Sequence, residues 1–313
     1  MYEKDNGCVS RCSTIIGGVG LNIACLMITY EPDIQHLKIV LSSICHQVYQ
    51  VIIIDNGSRN QKELLELTRD DIIIIPLADN FGIARATNIG IMQLANKKAD
   101  FILLSDQDTV YDSDYIATFE KLYMLQPSDS SIIAYAPKIF DKVSNVEKHT
   151  YVLKHKKIIK KHIQCNSIIF QTIASGLLIN YSKLLDVGGM NENLFIDMVD
   201  FEWCWKVFFT GYKIMYLPSL CITHSLGDAT CNFLGKNIAI RNVIRYYYII
   251  RNTIYLSFYT RYLNPITKFF LFMDAIKYFI GYNILTHGKY CRLLCLAVFH
   301  GINKKLGRFD NYK

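Results

Sequence analysis

The sequence predicts an α/β fold built on a mainly parallel sheet that helices cover on both faces. Between residues 21 and 104, short apolar runs alternate with segments of helical periodicity, which is the pattern of successive β-α-β units. The runs are nearly continuous in apolar residues, as expected for strands buried on both faces. The 313 residues are 51% hydrophobic and 19% charged, a composition typical of a folded globular chain.

The predicted elements follow one another in a regular order. The first part of the chain has strand patterns at 21–29, 51–54, 71–75 and 101–104, and helical patterns at 34–47, 61–69 and 80–94. The second part has helical patterns at 115–124, 182–187 and 200–210, a strand near 131–136, a return to the sheet at 168–180, and strand patterns at 213–217 and 216–223. The basic region 141–163 contains a lysine-rich cluster at 154–162, which indicates a solvated hairpin or loop or, as the alternative, a contact with an anionic acceptor.

The charge is unevenly placed and divides the chain. Residues 236–313 carry a net charge of +11, whereas residues 1–235 carry −4. We therefore predict an irregular segment at 1–20, an α/β domain at 21–235, and a basic, apolar helical region at 236–313 that is broken at Pro265 and near Gly288. Such a tail suits a membrane surface, a polyphosphate ligand or nucleic acid, while packing on the body or in a dimer is the alternative.

Several protein classes are disfavoured. The ten cysteines include no CxxC pair, which argues against a zinc site, and free thiols in apolar surroundings fit a reducing cytoplasm. No run of 18 apolar residues and no secretory signal is found, so we expect no transmembrane helix. The aromatic, apolar character of the tail argues against nucleic acid as its partner.

Polar residues follow three of the predicted strands, at 29–31, 55–58 and 105–108. Because the carboxyl ends of parallel strands share one crevice, these residues are expected to lie together. Asp106 and Asp108 are two carboxylates spaced i, i+2, which repel each other unless a cation lies between them. Oxygen ligands of this kind suit Mg²⁺ or Mn²⁺ bound to a substrate phosphate, and a plain polar turn is the alternative.

Two further elements are candidates for nucleotide binding. Asp55, at a strand end, is placed to accept hydrogen bonds from a nucleobase or a ribose, although the sequence 55–58 is also typical of a turn. At Asn80, Gly82 and Arg85, small residues and a helix N-terminus offer a place for a diphosphate. Neither a GxGxxG fingerprint nor a Walker lysine loop is present, so dinucleotide-binding and ATP-binding folds lose support.

The later part of the chain supplies candidates for catalysis. Asp197, Asp200 and Glu202 lie among large apolar residues, and a carboxylate in such a cleft suits a general base for a sugar hydroxyl. The alternative for these acids is a helix cap with favourable charges in the first turn. His224 follows a strand pattern and is a candidate third metal ligand. Arg245 and Arg251, almost two helical turns apart, are candidates for contacts with a diphosphate, or part of a basic interfacial helix.

Taken together, these residues resemble a family 2 glycosyltransferase of the GT-A fold, in particular the bacterial rhamnosyltransferase-like group that builds cell-surface polysaccharide such as O-antigen. The matching elements span residues 29–252 in consistent order, at 29–32, 54–58, 80–84, 104–109, 175–176, 195–204, 224–228, 247–248 and 251–252. The chain departs from the pattern at Glu31, where the family has asparagine before proline. Residues 141–163 have no clear counterpart.

The resemblance implies a role for each candidate. Metal binding falls to Asp106, Asp108 and His224, and the divalent ion is Mg²⁺ or Mn²⁺. Catalysis falls to Asp200 as base, to Glu202 as the residue that orients the acceptor, and to Asp197 as the next candidate base. The nucleotide-sugar donor would contact the remaining residues, with Asp55 on the base: Thr29, Tyr30, Glu31, Asp55, Asn80, Gly82, Arg85, Asp106, Gln107, Arg245 and Arg251.

The expected activity is an inverting transfer of a sugar, with dTDP-L-rhamnose as the favoured donor and UDP-galactose or UDP-galactofuranose as the alternatives. The implied acceptor is a lipid-diphosphate-linked oligosaccharide, so we expect a cytoplasmic protein, peripheral at the inner face of the bacterial plasma membrane, with a homo-oligomer left open. A non-catalytic glycosyltransferase-like binding subunit is a competing hypothesis. A nucleotidyltransferase would need a glycine- and lysine-rich triphosphate loop near the first strand, which residues 29–33 lack.

Overall fold

The computed structural model describes residues 20–95, 97–125, 129–141, 146–224, 229–233, 236–240 and 242–310. For 224, 229–233 and 236–240 only the backbone is described. Apart from Gly20, the predicted irregular segment lies outside the described residues.

The first half of the chain forms the predicted β-α units. In chain order they are β1 (Ile23–Thr29), α1 (Ile34–Ile44), β2 (Gln50–Asp55), α2 (Gln61–Leu65), β3 (Ile72–Pro76), α3 (Ile83–Gln93), β4 (Phe101–Asp106) and α4 (Tyr115–Leu125). The four strands are parallel, in the order β3-β2-β1-β4. Thr29 pairs with Asp55, and Ile28 pairs with Asp106, so the carboxyl ends of β1, β2 and β4 lie at the same edge.

The second half of the chain contributes the remaining strands and helices, and some of these strands complete one mixed sheet. Its elements are β5 (Ile132–Asp141), β6 (Val146–Glu147), β7 (Thr150–Lys154), β8 (Lys157–Lys161), β9 (Ser167–Ile169), β10 (Leu178–Asn180), α5 (Tyr181–Val187), a 3₁₀ turn (Glu192–Leu194), α6 (Val199–Phe209), β11 (Lys213–His224), β12 (Ala229–Phe233) and β13 (Lys236–Ile240). The sheet continues from β4 in the order β10-β5-β11-β9, in which β10 is antiparallel to both neighbours and β11 is parallel to β5. The prediction of a mainly parallel α/β fold is confirmed.

Three details differ from the sequence-based expectation. Helix α2 ends at Leu65 rather than 69. The patterns at 213–217 and 216–223 belong to a single strand, β11, whose register with β5 shifts between Leu217 and Cys221. Residues 168–180 return to the sheet as two separate short strands, β9 and β10, joined by a loop. The lysine-rich cluster does form a hairpin, β7–β8.

The core lies on both faces of the sheet. In β1, Ala24 and Leu26 point to one face, whereas Cys25 and Met27 point to the other, and all four are at most 1% exposed. Helix α3 approaches the sheet closely, because a Cβ added at Gly90 would lie 2.2 Å from a Leu26 methyl carbon. The continuous apolar runs therefore reflect burial on two sides.

The C-terminal region is helical, with α7 (Val243–Tyr259), α8 (Pro265–Leu285) and α9 (Cys291–Ile302). Helix α8 begins at the predicted break: Pro265 occupies its first turn, and the Asn264 side chain accepts a hydrogen bond from the Thr267 N–H. The second break lies at Gly288, whose φ of +74° is easily adopted by glycine. None of the helices in the described ranges combines the length and the apolar character needed to cross a membrane. The domain boundary near 235 stays a prediction.

Candidate functional site

The ends of β1 and β4 are joined by the side chain of Gln107. The Tyr30 N–H donates to Gln107 Oε1 (2.8 Å), and Gln107 Nε2 donates to the Tyr30 carbonyl (3.3 Å). This pair of bonds fixes the turn after β4 against the turn after β1. Gln107 and Tyr30 therefore lie side by side at the sheet edge, as the strand-end pattern predicts.

Asp55 organises the turn after β2. Its carboxylate is fully buried and accepts hydrogen bonds from Thr29 Oγ1 (3.2 Å), from Gln61 Nε2 (2.9 Å), and from both the backbone N–H (3.1 Å) and the hydroxyl of Ser58. The turn-forming alternative is thus realised. Because these donors already satisfy both carboxylate oxygens, a base held here would share them, and that role stays a prediction.

Glu31 also binds the turn after β2, on its solvent-exposed side. Its backbone N–H donates to Ser58 Oγ (2.8 Å), and its carboxylate accepts from the backbone N–H (3.1 Å) and Nε (3.0 Å) of Arg59. These hydrogen bonds lower the pKa of Glu31. The residue that departs from the family pattern is therefore paired with an exposed arginine that follows β2.

The Asp-x-Asp pair lies at the end of β4, where both side chains are partly exposed. The buried hydroxyl of Ser175 donates to Asp106 Oδ2 and so orients this carboxylate. Ser175 is itself held by the tight turn at Gly176 (φ +74°), whose N–H donates to the Leu104 carbonyl (2.8 Å). The motif is therefore positioned by a loop that lies 70 residues further along the chain.

The residues at this edge fit a divalent metal that is completed by substrate oxygens. Among the side chains that the structure describes, no three histidine, cysteine or acidic groups converge on one point. Mg²⁺ and Mn²⁺ are commonly held by one or two carboxylates together with phosphate oxygens and water, which is the donor set that Asp106 and Asp108 offer. The backbone of His224 pairs with Asp141 at the end of β11. Its side chain lies outside the described part of the structure, so its role as a ligand stays a prediction.

Asp200 lies in the first turn of α6 rather than at its cap, which is Met198, and its Oδ1 accepts from the Phe201 N–H (3.0 Å). The pKa of Asp200 is raised to about 6, chiefly by burial and also by the negative charges of Asp197 and Asp106, while the hydrogen bond from the Phe201 N–H acts in the opposite direction. The effect of Asp106 means that the acid of β4 is close enough to influence the acid of α6 electrostatically. A carboxylate of this kind is suited to accept a proton near neutral pH.

Glu202 points into the protein. It is 4% exposed, its Oε1 accepts from Asn191 Nδ2 (3.2 Å), and its Oε2 has no hydrogen-bond partner among the described residues. Burial raises the pKa of Glu202, against the opposing effects of nearby Lys206 and of the Asn191 hydrogen bond. Glu202 thus contacts the loop before α6, and its contact with an acceptor stays a prediction.

Asp197 pairs with Arg245 from the first turn of α7. Arg245 donates to both carboxylate oxygens, from Nη2 (2.7 Å) and from Nε (3.2 Å), and the Asp197 side chain is only 6% exposed. This fork geometry is the strong form of a carboxylate–guanidinium pair. Two of the predicted residues are therefore brought together, and the pairing makes Asp197 a weaker candidate base than Asp200.

Arg251 requires a correction. We expected its guanidinium to be available to a diphosphate, but it is 1% exposed and donates to the carbonyls of Leu194 (3.0 Å) and Gly307 (2.6 Å). Its charged group also lies 4.8 Å from the centre of the Tyr248 ring. The spacing of the two arginines places them on different sides of α7, so Arg251 supports the fold whereas Arg245 reaches Asp197.

The turn at 80–85 also differs from expectation. The first N–H of α3, at Ile83, donates to the Phe195 carbonyl (2.8 Å), and a Cβ at Gly82 would lie 2.6 Å from that same oxygen. The Asn80 side chain accepts from the Gly82 N–H (3.0 Å). Because the amide groups of Gly82 and Ile83 are used internally, these two are not available to a diphosphate, and the role of this helix N-terminus stays a prediction. Arg85 lies over the Phe81 ring and lines a separate cleft of about 740 Å³.

Asn252 is a positioning residue to which the sequence analysis assigned no role. It is fully buried, and its Nδ2 donates to the carbonyls of Leu194 (2.9 Å), Ile196 (2.8 Å) and Asp197 (2.9 Å). These bonds hold a segment in which Phe195, Asp197 and Met198 all have positive φ. The signal in the sequence that could have indicated this role is an asparagine within a largely apolar helix, because a buried amide needs hydrogen-bond partners.

Comparison with known proteins agrees with this geometry. Residues 25–179 match the family described as "Glycosyl transferase family 2". The chain is 30% identical over 238 residues to the dTDP-rhamnosyl transferase RfbF of Shigella flexneri, covering 74% of this chain and 78% of that protein. The range of the family match includes the strand ends at 29–31, 55–58 and 105–108.

Two solved structures are similar in fold. One is TarS 1-349 of S. aureus in complex with UDP-GlcNAc (TM-score 0.55, 14% identity, 83% of this chain and 73% of the 1-349 chain). The other is the mannosyltransferase PcManGT from Pyrobaculum calidifontis in complex with GDP-Man and Mn²⁺ (TM-score 0.52, 12% identity, 91% of this chain and 88% of that protein). At such identities the likeness shows the fold alone. The chain has the GT-A fold, belongs to glycosyl transferase family 2 and is a glycosyltransferase.

Proposed function

We propose that this glycosyltransferase moves L-rhamnose from dTDP-L-rhamnose to a hydroxyl of a lipid-diphosphate-linked oligosaccharide, with inversion at the anomeric carbon. The observation that carries the mechanism is the half-buried Asp200, whose pKa is raised to about 6 beside Asp106 and Asp197. The choice of donor is supported by the similarity to RfbF, a dTDP-rhamnosyl transferase. UDP-galactose and UDP-galactofuranose are the alternative donors.

Asp200 is assigned the role of general base. It accepts the proton of the acceptor hydroxyl while that oxygen bonds to the anomeric carbon and the bond from this carbon to the diphosphate oxygen breaks. One displacement from the far side inverts the configuration and needs no covalent intermediate. A base with a pKa near 6 is ionised at neutral pH and still holds a proton well, which suits this step.

The other predicted residues are assigned to binding. Thr29, Tyr30, Asp55 and Gln107 line the edge at which the nucleotide would lie, while Arg245 holds the side chain of Asp197 in place. We assign a divalent metal to Asp106 and Asp108, with His224 as a further ligand. When bound, such a metal neutralises the charge that develops on the leaving diphosphate.

A lipid-linked acceptor places the reaction at the inner face of the bacterial plasma membrane, and we propose that the protein is peripheral there. The support is chemical: residues 236–313 are basic and carry exposed aromatic and aliphatic side chains, including Phe258, Phe269 and Phe299.

The test measures nucleotide binding and transfer in turn. Thermal shifts are recorded with dTDP, UDP and GDP, each with and without Mn²⁺, and transfer is then assayed from dTDP-L-rhamnose and UDP-galactose. We expect stabilisation by dTDP that depends on Mn²⁺ and is lost in Asp108→Asn, whereas Asp114→Asn serves as the matched control. Stabilisation by UDP alone would favour the galactose donors. A folded protein that binds no nucleotide would favour a non-catalytic subunit and overturn the proposal.

A further inference from the structure

Helix α8 is apolar on two opposite sides. Leu271, Ala275 and Tyr282 face inward and are at most 7% exposed. The outward stripe follows the 3.6-residue period, and its most exposed members are Ile266 (44%), Phe269 (57%), Ile280 (51%) and Ile284 (58%). The outer side of α8 also carries the exposed ion pair of Asp274 with Lys277 (2.8 Å), but helix stripes with this many apolar side chains are normally buried. Its outer stripe is therefore a surface that suits an apolar partner.

The lysine-rich hairpin β7–β8 lies against the first half of this helix. Thr267 Oγ1 donates to the Lys156 carbonyl (2.6 Å), and Lys157 Nζ lies 4.4 Å from the centre of the Phe270 ring. Residues 150–162 contain five lysines and no acidic residue, and all five lysines are exposed. The fold thus joins two segments about 110 residues apart into one surface, which is basic at one end and apolar along its length.

We propose that this surface, the outer stripe of α8 with the β7–β8 hairpin, docks on a bilayer that contains anionic lipid. Lysines beside exposed apolar side chains match both parts of such an interface, the negative headgroups and the acyl boundary. The net charge of +11 over residues 236–313 acts in the same direction. With 21 residues, α8 is about 31 Å long and would lie flat on the bilayer. This proposal rests on the proposed function only in that a lipid-linked acceptor requires access to a membrane.

A second copy of the chain is a poorer occupant of this surface. In a symmetric dimer each copy presents the same patch to the other. Two lysine-rich hairpins would then belong to one interface, and like charges oppose such contact. An anionic bilayer, in contrast, attracts the lysines of the hairpin.

The experiment is flotation of the full-length chain with vesicles of phosphatidylcholine alone or with phosphatidylglycerol, at low and high salt. The vesicles contain no acceptor lipid. We expect binding to the anionic vesicles that weakens with salt. Nucleotide binding, measured on the same preparations, reports the proposed function separately, so a failure of one is distinguishable from a failure of the other.

Two variants test the two parts of the surface. Phe269→Asp with Ile284→Asp, and Lys154→Gln with Lys157→Gln and Lys160→Gln, should each weaken vesicle binding on the order of 10-fold or more, with unchanged circular dichroism. The matched controls alter exposed residues elsewhere: Met92→Asp with Leu185→Asp, and Lys38→Gln with Lys62→Gln and Lys121→Gln. They should bind within about twofold of the unmodified chain, because their side chains lie outside the proposed surface.

Three results would overturn the proposal. The first is a folded chain that does not bind anionic vesicles. The second is binding of the surface variants to vesicles as tightly as the control variants bind. The third is a dimer in light scattering that Phe269→Asp with Ile284→Asp converts to a monomer while vesicle binding is retained. That last result would assign the stripe to a second copy.

Discussion

At the scale of single residues, the raised pKa of Asp200 suits the proposed proton transfer and opposes stability. Burial and the carboxylates of Asp197 and Asp106 disfavour its ionised form, while backbone N–H groups, among them that of Phe201, favour it. An ionised Asp200 is therefore destabilising for the folded chain and is what the proposed proton transfer requires. Sites that trade stability for activity in this way are common in enzymes.

Replacing this carboxylate should remove catalysis. We expect Asp200→Asn to lower the rate of transfer by about 10²- to 10⁴-fold, because an amide cannot accept the proton of the acceptor hydroxyl. Binding of the nucleotide with Mn²⁺ should change little, since Asp106 and Asp108 are intact. Transfer kinetics beside nucleotide thermal shifts separate the two effects, and near-normal turnover would move the role of base to Asp197.

The same variant should be more stable, in a way that depends on pH. The folded-state pKa of Asp200, about 6, lies above the ordinary value of 3.8, so folding favours the protonated form. Its destabilising effect is small below about pH 4, grows as the pH rises to about 6, and is complete above that. We therefore expect the difference in unfolding free energy between Asp200→Asn and the unmodified chain to increase by about 1–2 kcal/mol, in favour of the variant, when the pH is raised from 4.5 to 7.5.

Urea unfolding of the nucleotide-free proteins at the two pH values measures this gain. The exposed Asp70→Asn provides the control, for which the two pH values should give the same difference from the unmodified chain within about 0.5 kcal/mol. An Asp200→Asn protein that is no more stable at pH 7.5 would show that the carboxylate is well hydrated in solution.

At the scale of elements, the segment between the 3₁₀ turn and α6 is shaped by α7. Asn252 donates to three carbonyls of this segment, and Arg245 binds its Asp197. The helix thus sets the path of the chain into Asp200. Its own position is fixed in part by Arg251, which joins the Leu194 carbonyl to that of Gly307.

Loss of this support should affect both folding and turnover. We expect Asn252→Ala to cost about 2–4 kcal/mol of unfolding free energy, because the carbonyls of Ile196 and Asp197 lose this donor, while that of Leu194 keeps the one from Arg251. The rate of transfer should fall more than nucleotide affinity, since Asn252 acts through the segment that carries Asp197. Asn303→Ala, an exposed asparagine that donates to one carbonyl of α9, should change stability by at most about 0.5 kcal/mol. Equal costs for the two variants would contradict this role.

Some elements of the fold could be predicted from the sequence, and others could not. The strands β1, β2 and β4 were predictable because each is a short run buried on two sides that stops at polar residues. Strand β11 was predicted in two pieces because its register shift interrupts the apolar pattern. The burial of Arg251 could not be foreseen, because its partners, the carbonyls of Leu194 and Gly307, lie more than 50 residues away on either side.

At the scale of the whole molecule, the helical region and the α/β body share one interior. Leu256, Leu263 and Leu271, from α7 to α8, pack in the same core as Trp205 of α6. The end of the described chain closes a second contact, in which the Gly307 N–H donates to the Asn193 carbonyl (2.8 Å). The two regions therefore differ in charge but are joined by common apolar packing.

This shared core predicts that body and helices unfold in a single transition. The two tryptophans of the chain, Trp203 and Trp205, are both 1% exposed on α6, so tryptophan fluorescence reports the body. Far-UV circular dichroism reports the helices of both regions, and α7–α9, the longest helices of the described ranges, contribute about half of the helical residues. In urea the two signals should change at the same midpoint, because neither region keeps a closed core once the other has unfolded. An earlier loss of helical signal would instead show that the region after residue 235 is an independent folding unit, as the charge distribution alone predicts.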